Sequence, residues 1–167
     1  MARQLWLLRH ADAEPHGSRE DSERCLTARG EQQARTVGAA LARLGMGFQE
    51  VLFSPKVRAR QTAELAAEGW EEDEQARLAV HAPLSGGFDA AEALDAMAGV
   101  EQEGRLLLVG HEPDLSHIVG QLTGARIDLK KGGLAIVRLD GASGELVVLL
   151  RPRELALIAG GVPVGGH

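Results

Sequence analysis

Hydrophobic residues in this chain follow two rhythms. Leu5-Trp6-Leu7-Leu8 is an unbroken apolar run that ends abruptly in Arg9-His10, which is how a strand buried on both faces delivers polar residues at its carboxyl end. From Thr27 to Leu44 the period changes: Ala34, Val37, Leu41 and Leu44 recur at three- and four-residue spacing with charges between them, predicting an amphipathic helix. Thr27, followed by Gly30 and Glu31, makes an imperfect capping pattern, whereas Gly45 is a plain stop. The alternation then repeats. Val51-Leu52-Phe53 reads as a second strand closed by Ser54-Pro55, and Val57 to Ala67 returns to the helical period. Arg77 to Val80 is a weak third strand, Asp89 to Met97 a short alanine-rich helix, and Arg105 to Val109 a strong fourth strand ending in Gly110-His111. Pro113 suits a first helical turn, where an N–H would be unpaired anyway, and Leu115, Ile118, Val119 and Leu122 continue that helix. Beyond Gly124, Gly133 to Leu139 and Glu145 to Leu150 are β-leaning runs joined by Asp140 to Gly144, the pattern of an antiparallel hairpin. Strands alternating with helices and then a hairpin predict a three-layer α/β sandwich, its sheet mainly parallel with an antiparallel strand or hairpin.

Composition narrows the class without altering that outline. The 167 residues are 44% hydrophobic and 25% charged, which suits a single domain over 1–167 with its own core. One cysteine, Cys25, rules out a scaffold held by intramolecular disulfides and gives no sign of an oxidising compartment. The net charge of −6 argues against non-specific attraction to nucleic acid. No apolar run reaches the roughly 18–20 residues a bilayer span requires, and the four-residue run near the start is shorter than a signal-peptide core of about 7–15. The expectation is a cytoplasmic protein without a nucleic-acid or membrane partner, its oligomeric state left open.

In open parallel sheets ligands bind outside the carboxyl ends of the strands. Three ends here carry chemistry: Arg9-His10, then Ser54-Pro55 leading to Arg58, then Gly110-His111. Two imidazoles and two guanidiniums are thereby expected on one rim. Arginine is the preferred planar donor to phosphate oxygens and histidine serves as nucleophile or stabilising cation, so the set suits phosphoryl transfer. His16, His81, His117 and His167 lie in no comparable setting. Rival chemistries fit poorly. Cysteine phosphatases need Cys-x5-Arg, but Arg29 follows Cys25 by four. A helical zinc site needs histidines four apart, whereas His111 and His117 are six apart with Pro113 between them. Neither glycine-rich nucleotide-binding pattern occurs.

Three stretches, Leu7-Leu8-Arg9-His10-Ala11, Ser54-Pro55-Lys56-Val57-Arg58-Ala59-Arg60-Gln61-Thr62-Ala63 and Val109-Gly110-His111-Glu112-Pro113-Asp114-Leu115, resemble the ordered signatures of the histidine phosphatase superfamily. Within it the chain is similar to the SixA-like phosphohistidine phosphatases, which lack a large inserted cap and carry Arg-Pro-Leu-Thr-x-x-Gly near the first helix; here that stretch is Arg24-Cys25-Leu26-Thr27-Ala28-Arg29-Gly30. The resemblance implies a phosphoglycerate mutase-like fold, His10 as the nucleophile that becomes phosphorylated, Arg9, Arg58 and His111 on the phosphoryl oxygens, and Arg24 as a substrate contact. It implies no metal and no cofactor. The substrate would be a phosphohistidine in a signalling or phosphotransfer protein, with a small phosphomonoester or a non-catalytic phosphate-binding module as alternatives. Physical reasoning adds that one ring nitrogen of His10 should donate to a backbone carbonyl so that the other faces phosphorus unprotonated. A protonated His111 is expected to help offset charge on the equatorial oxygens. Glu112 and Asp89 are candidate proton donors to a leaving oxygen, with Glu92 and Asp12 also undecided. Two positions depart from the pattern: Ala11 replaces the superfamily's commoner glycine, which could narrow the approach to the nucleophile, and Cys25 replaces the proline.

Overall fold

The two rhythms become two kinds of element, described over residues 2–160 in a computed structural model. The strands are β1 (Gln4–Arg9), β2 (Glu50–Phe53), β3 (Leu78–Val80), β4 (Arg105–Gly110), β5 (Leu134–Asp140) and β6 (Ser143–Leu150). The helices are α1 (Ala28–Arg43), α2 (Val57–Ala67), α3 (Glu72–Gln75), α4 (Ala90–Met97), α5 (Asp114–Thr123) and α6 (Pro152–Ile158). They make one six-stranded sheet in the order β3-β2-β4-β1-β5-β6. The first four of that order are mutually parallel, and β5 runs antiparallel to both β1 and β6.

Side chains alternate across a strand, so each continuous apolar run feeds two cores. Trp6, Leu8, Phe53, Leu107 and Val109 face α1, α2 and α6, where they pack with Val37, Leu41, Ala63 and Leu155. Leu5, Leu7, Leu52, Leu106 and Leu108 face the other way, into Met97 of α4 and Leu115, Ile118 and Leu122 of α5. Helices therefore cover both faces, as the unbroken runs predict. Between α1 and α2 the approach is close: a Cβ at Gly38 would stand 1.9 Å from the Ala66 carbonyl oxygen.

The predicted elements are recovered with shifts of a residue or two. Thr27 caps α1 by accepting from the Gly30 N–H, so the imperfect pattern suffices. Asp89 and Pro113 sit at the cap positions rather than inside α4 and α5. The hairpin is tighter than read, with only Gly141-Ala142 between the strands and Gly141 at φ 62°. Two helices were not predicted. Four-residue α3 is too short to show a period, and seven-residue α6 is marked only by Pro152 at its start and by Glu154 bonding back to Arg151, a start signal without a repeat behind it.

Candidate active site

Register brings the chemistry together. β2, β4 and β1 lie side by side, with Phe53 opposite Val109 and Arg9 opposite Gly110. The next residues on each strand, Ser54, His111 and His10, must then leave the sheet at the same edge. The backbone confirms it: His10 N donates to Gly110 O at 3.1 Å and Ser54 N to Val109 O at 3.0 Å. The two imidazole centroids are 5.3 Å apart, tilted by 53°. His10, His111 and Arg58 are only 6%, 7% and 5% exposed. Arg58 is in the first turn of α2, whose buried Thr62 hydroxyl donates to the Arg58 carbonyl at 2.7 Å and accepts from Ala11 N at 3.1 Å. One side chain thus ties the arginine's helix to the loop behind the histidine. The first turn of α1 closes on the same loop: Thr27 N donates to Asp12 O, and a Cβ at Gly30 would stand 1.9 Å from that oxygen.

His10 meets the expectation placed on it. Its Nδ1–H donates to the Ala11 carbonyl at 2.8 Å, which leaves Nε2 unprotonated and available as a nucleophile. Burial, partly opposed by that hydrogen bond and reinforced by His111, Arg58 and Arg9, lowers its pKa to about 3. His111 departs from expectation. Its pKa also falls to about 3, first through burial and then through Arg58 and Lys56, with Asp21 opposing; the ring is therefore neutral near pH 7, and the predicted cation is absent from the protein on its own. Its Nε2 is 2.7 Å from Ser54 Oγ, which also accepts from Lys56 N. Ser54 is fully buried and Lys56 N can only donate, so the hydroxyl proton finds its acceptor in Nε2 and we assign the ring proton to Nδ1.

The guanidiniums complete the cluster. Arg9 donates to Leu129 O at 3.1 Å; burial lowers its pKa, opposed by Glu112 and Asp128. Burial also lowers that of Arg58, with repulsion from Arg24 adding and Asp21 opposing. Buried polar side-chain atoms almost always have hydrogen-bond partners. Among the described residues the buried ones without a partner are Arg9 Nε, Arg58 Nε and His111 Nδ1. All three belong to this cluster; the two arginine Nε atoms are donors, and so is His111 Nδ1 on the tautomer assigned above.

Arg24 is buried, yet its donors are committed. Nη1 donates to Glu14 O at 2.6 Å, while Nε and Nη2 both reach Asp21 Oδ1 at 3.1 and 2.9 Å. Asp21 also takes Lys56 Nζ at 3.2 Å and Arg58 Nη2 at 3.3 Å on Oδ2, and its backbone carbonyl accepts from Arg58 Nη1 at 2.7 Å. Burial alone would raise the Asp21 pKa; bonds from Arg24 and Lys56 and the charge of Arg58 hold it far below the ordinary carboxylate range. Asp21, Lys56 and the Ser54 and Thr62 hydroxyls are the residues the sequence reading did not single out. The signal for Asp21 was only an i,i+3 charge pair with Arg24.

The two candidate donors separate. Glu112 stays beside Arg9, but its oxygens accept from Ser116 N at 2.8 Å and from the Ser116 hydroxyl, capping the start of α5. Asp89 is not brought into the cluster: its carboxylate caps α4 by accepting from Glu92 N at 2.9 Å. Asp12 accepts from the Thr27 hydroxyl at 2.7 Å, and Glu92 is the acidic residue in the first turn of α4. Ala11 does not narrow the approach to His10, because it packs into a small separate core with Ala13, Leu26 and Ala34. Cys25 uses an N–H that proline would lack, donating to Glu14 Oε1 at 2.7 Å. An open groove of about 840 Å³ starts at Glu112 and continues past His117, Gln121, Arg126 and Asp128.

Comparison with known proteins places the fold among characterised families. The family model of the histidine phosphatase superfamily (branch 1) matches residues 5–79. An uncharacterized protein of Picosynechococcus sp. is 34% identical over 91% of this chain and 98% of its own length. The structure of the protein histidine phosphatase SixA complexed with tungstate has a TM-score of 0.77 at 26% identity, covering 91% of this chain and 99% of that one. The α-ribazole phosphatase from Shigella flexneri shares the fold, with a TM-score of 0.64 at 21% identity over 98% of this chain and 100% of its own.

Proposed function

From its place in the histidine phosphatase superfamily, to which the chain belongs, we propose a metal-independent phosphatase that works through a phosphorylated His10 and takes phosphohistidine as its substrate. The observation that carries this reading is the pairing of His10 with His111: one imidazole with a bare Nε2 and a second with a buried donor, 5.3 Å apart between two arginines. His10 Nε2 attacks phosphorus, the bond to the substrate's imidazole nitrogen breaks, and that nitrogen leaves with the electron pair and is protonated. Water then attacks the phosphorylated His10, releasing orthophosphate and restoring the free ring. Arg9, Arg58 and His111 hold the three equatorial oxygens, and their fixed charge and donors offset the charge spread there.

The carboxylates support the substrate class. An alkyl leaving oxygen needs a proton from a carboxylic acid of raised pKa, whereas imidazole leaves more easily. Asp21 is held ionised, Asp12 and Glu112 are engaged by hydroxyl groups, and Asp89 caps a helix. A second reading, a small-molecule phosphomonoesterase, is favoured by the position of Glu112 next to His111. A panel of phosphohistidine protein, aryl phosphate and sugar phosphates tests both. Turnover should be fastest on phosphohistidine, be abolished in His10→Ala and survive Glu112→Gln. Preference for sugar phosphates with loss in Glu112→Gln would move the assignment to the esterase. Phosphate binding without turnover of any substrate would make the protein a binding module.

A further inference from the structure

Building on the phosphatase reading, we propose that Asp21 is a built-in counter-anion of the phosphoryl site: it acts through Arg58 and Lys56 to hold down the affinity for phosphate, so that product is released. The argument begins with charge. Arg24, Lys56 and Arg58 converge on one carboxylate, at 2.9, 3.2 and 3.3 Å, with His16 at 3.9 Å beside it. Arg58, with Arg9, is also a cation beside both imidazoles, since the charge of each acts on His10 and His111. Without Asp21, Arg24, Lys56 and Arg58 would add their charge to that of Arg9 around the phosphoryl group with no carboxylate to offset them. Such a site would grip orthophosphate, the product, at least as strongly as substrate, and equal binding of ground and transition states does not speed turnover.

The side chain is not what holds Arg58 in place. Nη1 is anchored by the Asp21 backbone carbonyl at 2.7 Å, shorter than the 3.3 Å contact of Nη2 with the carboxylate. The loop has further anchors: Glu14 N donates to Cys25 O, Arg24 to Glu14 O, and Ala13 bridges to Leu26. A change from carboxylate to amide at position 21 therefore removes a charge and the Oδ2 acceptor of Lys56 and Arg58, while one side-chain oxygen for Arg24 and the backbone anchor of Arg58 remain. The carboxylate is 48% exposed, so solvent damps its field without cancelling it.

Orthophosphate affinity, measured by calorimetry at low and high salt, tests the proposal together with phosphate inhibition of turnover. Asp21→Asn should bind orthophosphate about three- to tenfold more tightly at low salt, the scale of one partly screened charge. The gain should shrink as salt rises, because screening acts on charge and not on shape. Asp21→Glu should return affinity toward wild type. Asp21→Ser, which keeps the backbone anchor, carries the same expectation as Asn should that variant fold poorly. Unchanged or weaker phosphate binding in the folded Asn or Ser variant at low salt overturns the proposal. The phosphatase reading fails separately, by the wild type turning over no phosphoramidate or ester while it still binds phosphate.

Discussion

At the scale of single residues, the site runs on two imidazoles kept neutral. On the proposed mechanism His10→Ala removes the nucleophile; turnover should fall by about a thousandfold or more, and an acid-labile phosphoryl label on the protein should vanish. A label that persists in the variant would assign the nucleophile elsewhere. Neutrality also has a stability signature. In the unfolded chain an imidazole titrates near 6.5, while His10 and His111 folded titrate at about 3. Between those values the unfolded state binds more protons, so stability is complete above about pH 6.5 and declines as pH falls toward 3. Each imidazole contributes a slope of up to about 1.4 kcal/mol per pH unit in that window. Urea midpoints at pH 5 and pH 7 should differ clearly in wild type, and by roughly half as much in His111→Asn; an undiminished difference in that variant would show the acid sensitivity to lie elsewhere. The residues named here were legible because each follows a strand end within a short motif. Asp21 and Lys56 were not, since their significance comes from a loop folding back over α2, which no local pattern specifies.

At the scale of elements, the site depends on how three pieces of secondary structure are tied. Strands were readable from sequence because both faces are buried and their apolar runs are continuous. Helices α3 and α6 were not, because four and seven residues give too few turns for a period. The ties between elements are polar and equally silent in sequence. Thr62 is the clearest, joining α2 to the backbone of Ala11. Thr62→Val keeps shape and removes the acceptor, stranding a buried N–H, so it should lower stability by about 1–3 kcal/mol. Because that N–H belongs to the residue after His10, kcat/KM should fall as well, with Thr62→Ser restoring both. Loss of stability with wild-type kcat/KM would confine Thr62 to packing. Gly30→Ala tests the other tie: its methyl would overlap the Asp12 carbonyl oxygen. The clash is with backbone and cannot be relieved by a rotamer change, so a lowered urea midpoint is expected.

At the scale of the whole molecule, a chain of net charge −6 gathers Arg9, Arg24, Lys56 and Arg58 around one sheet edge. The topology behind that gathering was legible, because alternating strands and helices leave few arrangements of a parallel sheet and all deliver strand ends to one side. The electrostatic balance at that edge was not, since it is set by groups up to about 120 positions apart, from Arg9 to Asp128. The consequence for the folded state is a linkage. On the proposed function, the three buried groups without partners, on Arg9, Arg58 and His111, gain acceptors when an oxyanion binds, and unfolding disperses them. Orthophosphate is then expected to bind the folded state and stabilise it by mass action: at ten times its dissociation constant the gain is about 1.4 kcal/mol. For a chain of this length that corresponds to a rise in Tm of about 3–6 °C. Thermal melts with increasing orthophosphate should show the rise in wild type and lose it in Arg58→Ala, where the anion loses its most deeply buried guanidinium. A wild-type Tm indifferent to phosphate, or an equal rise in Arg58→Ala, would mean that the cluster at the sheet edge does not bind oxyanions as a unit.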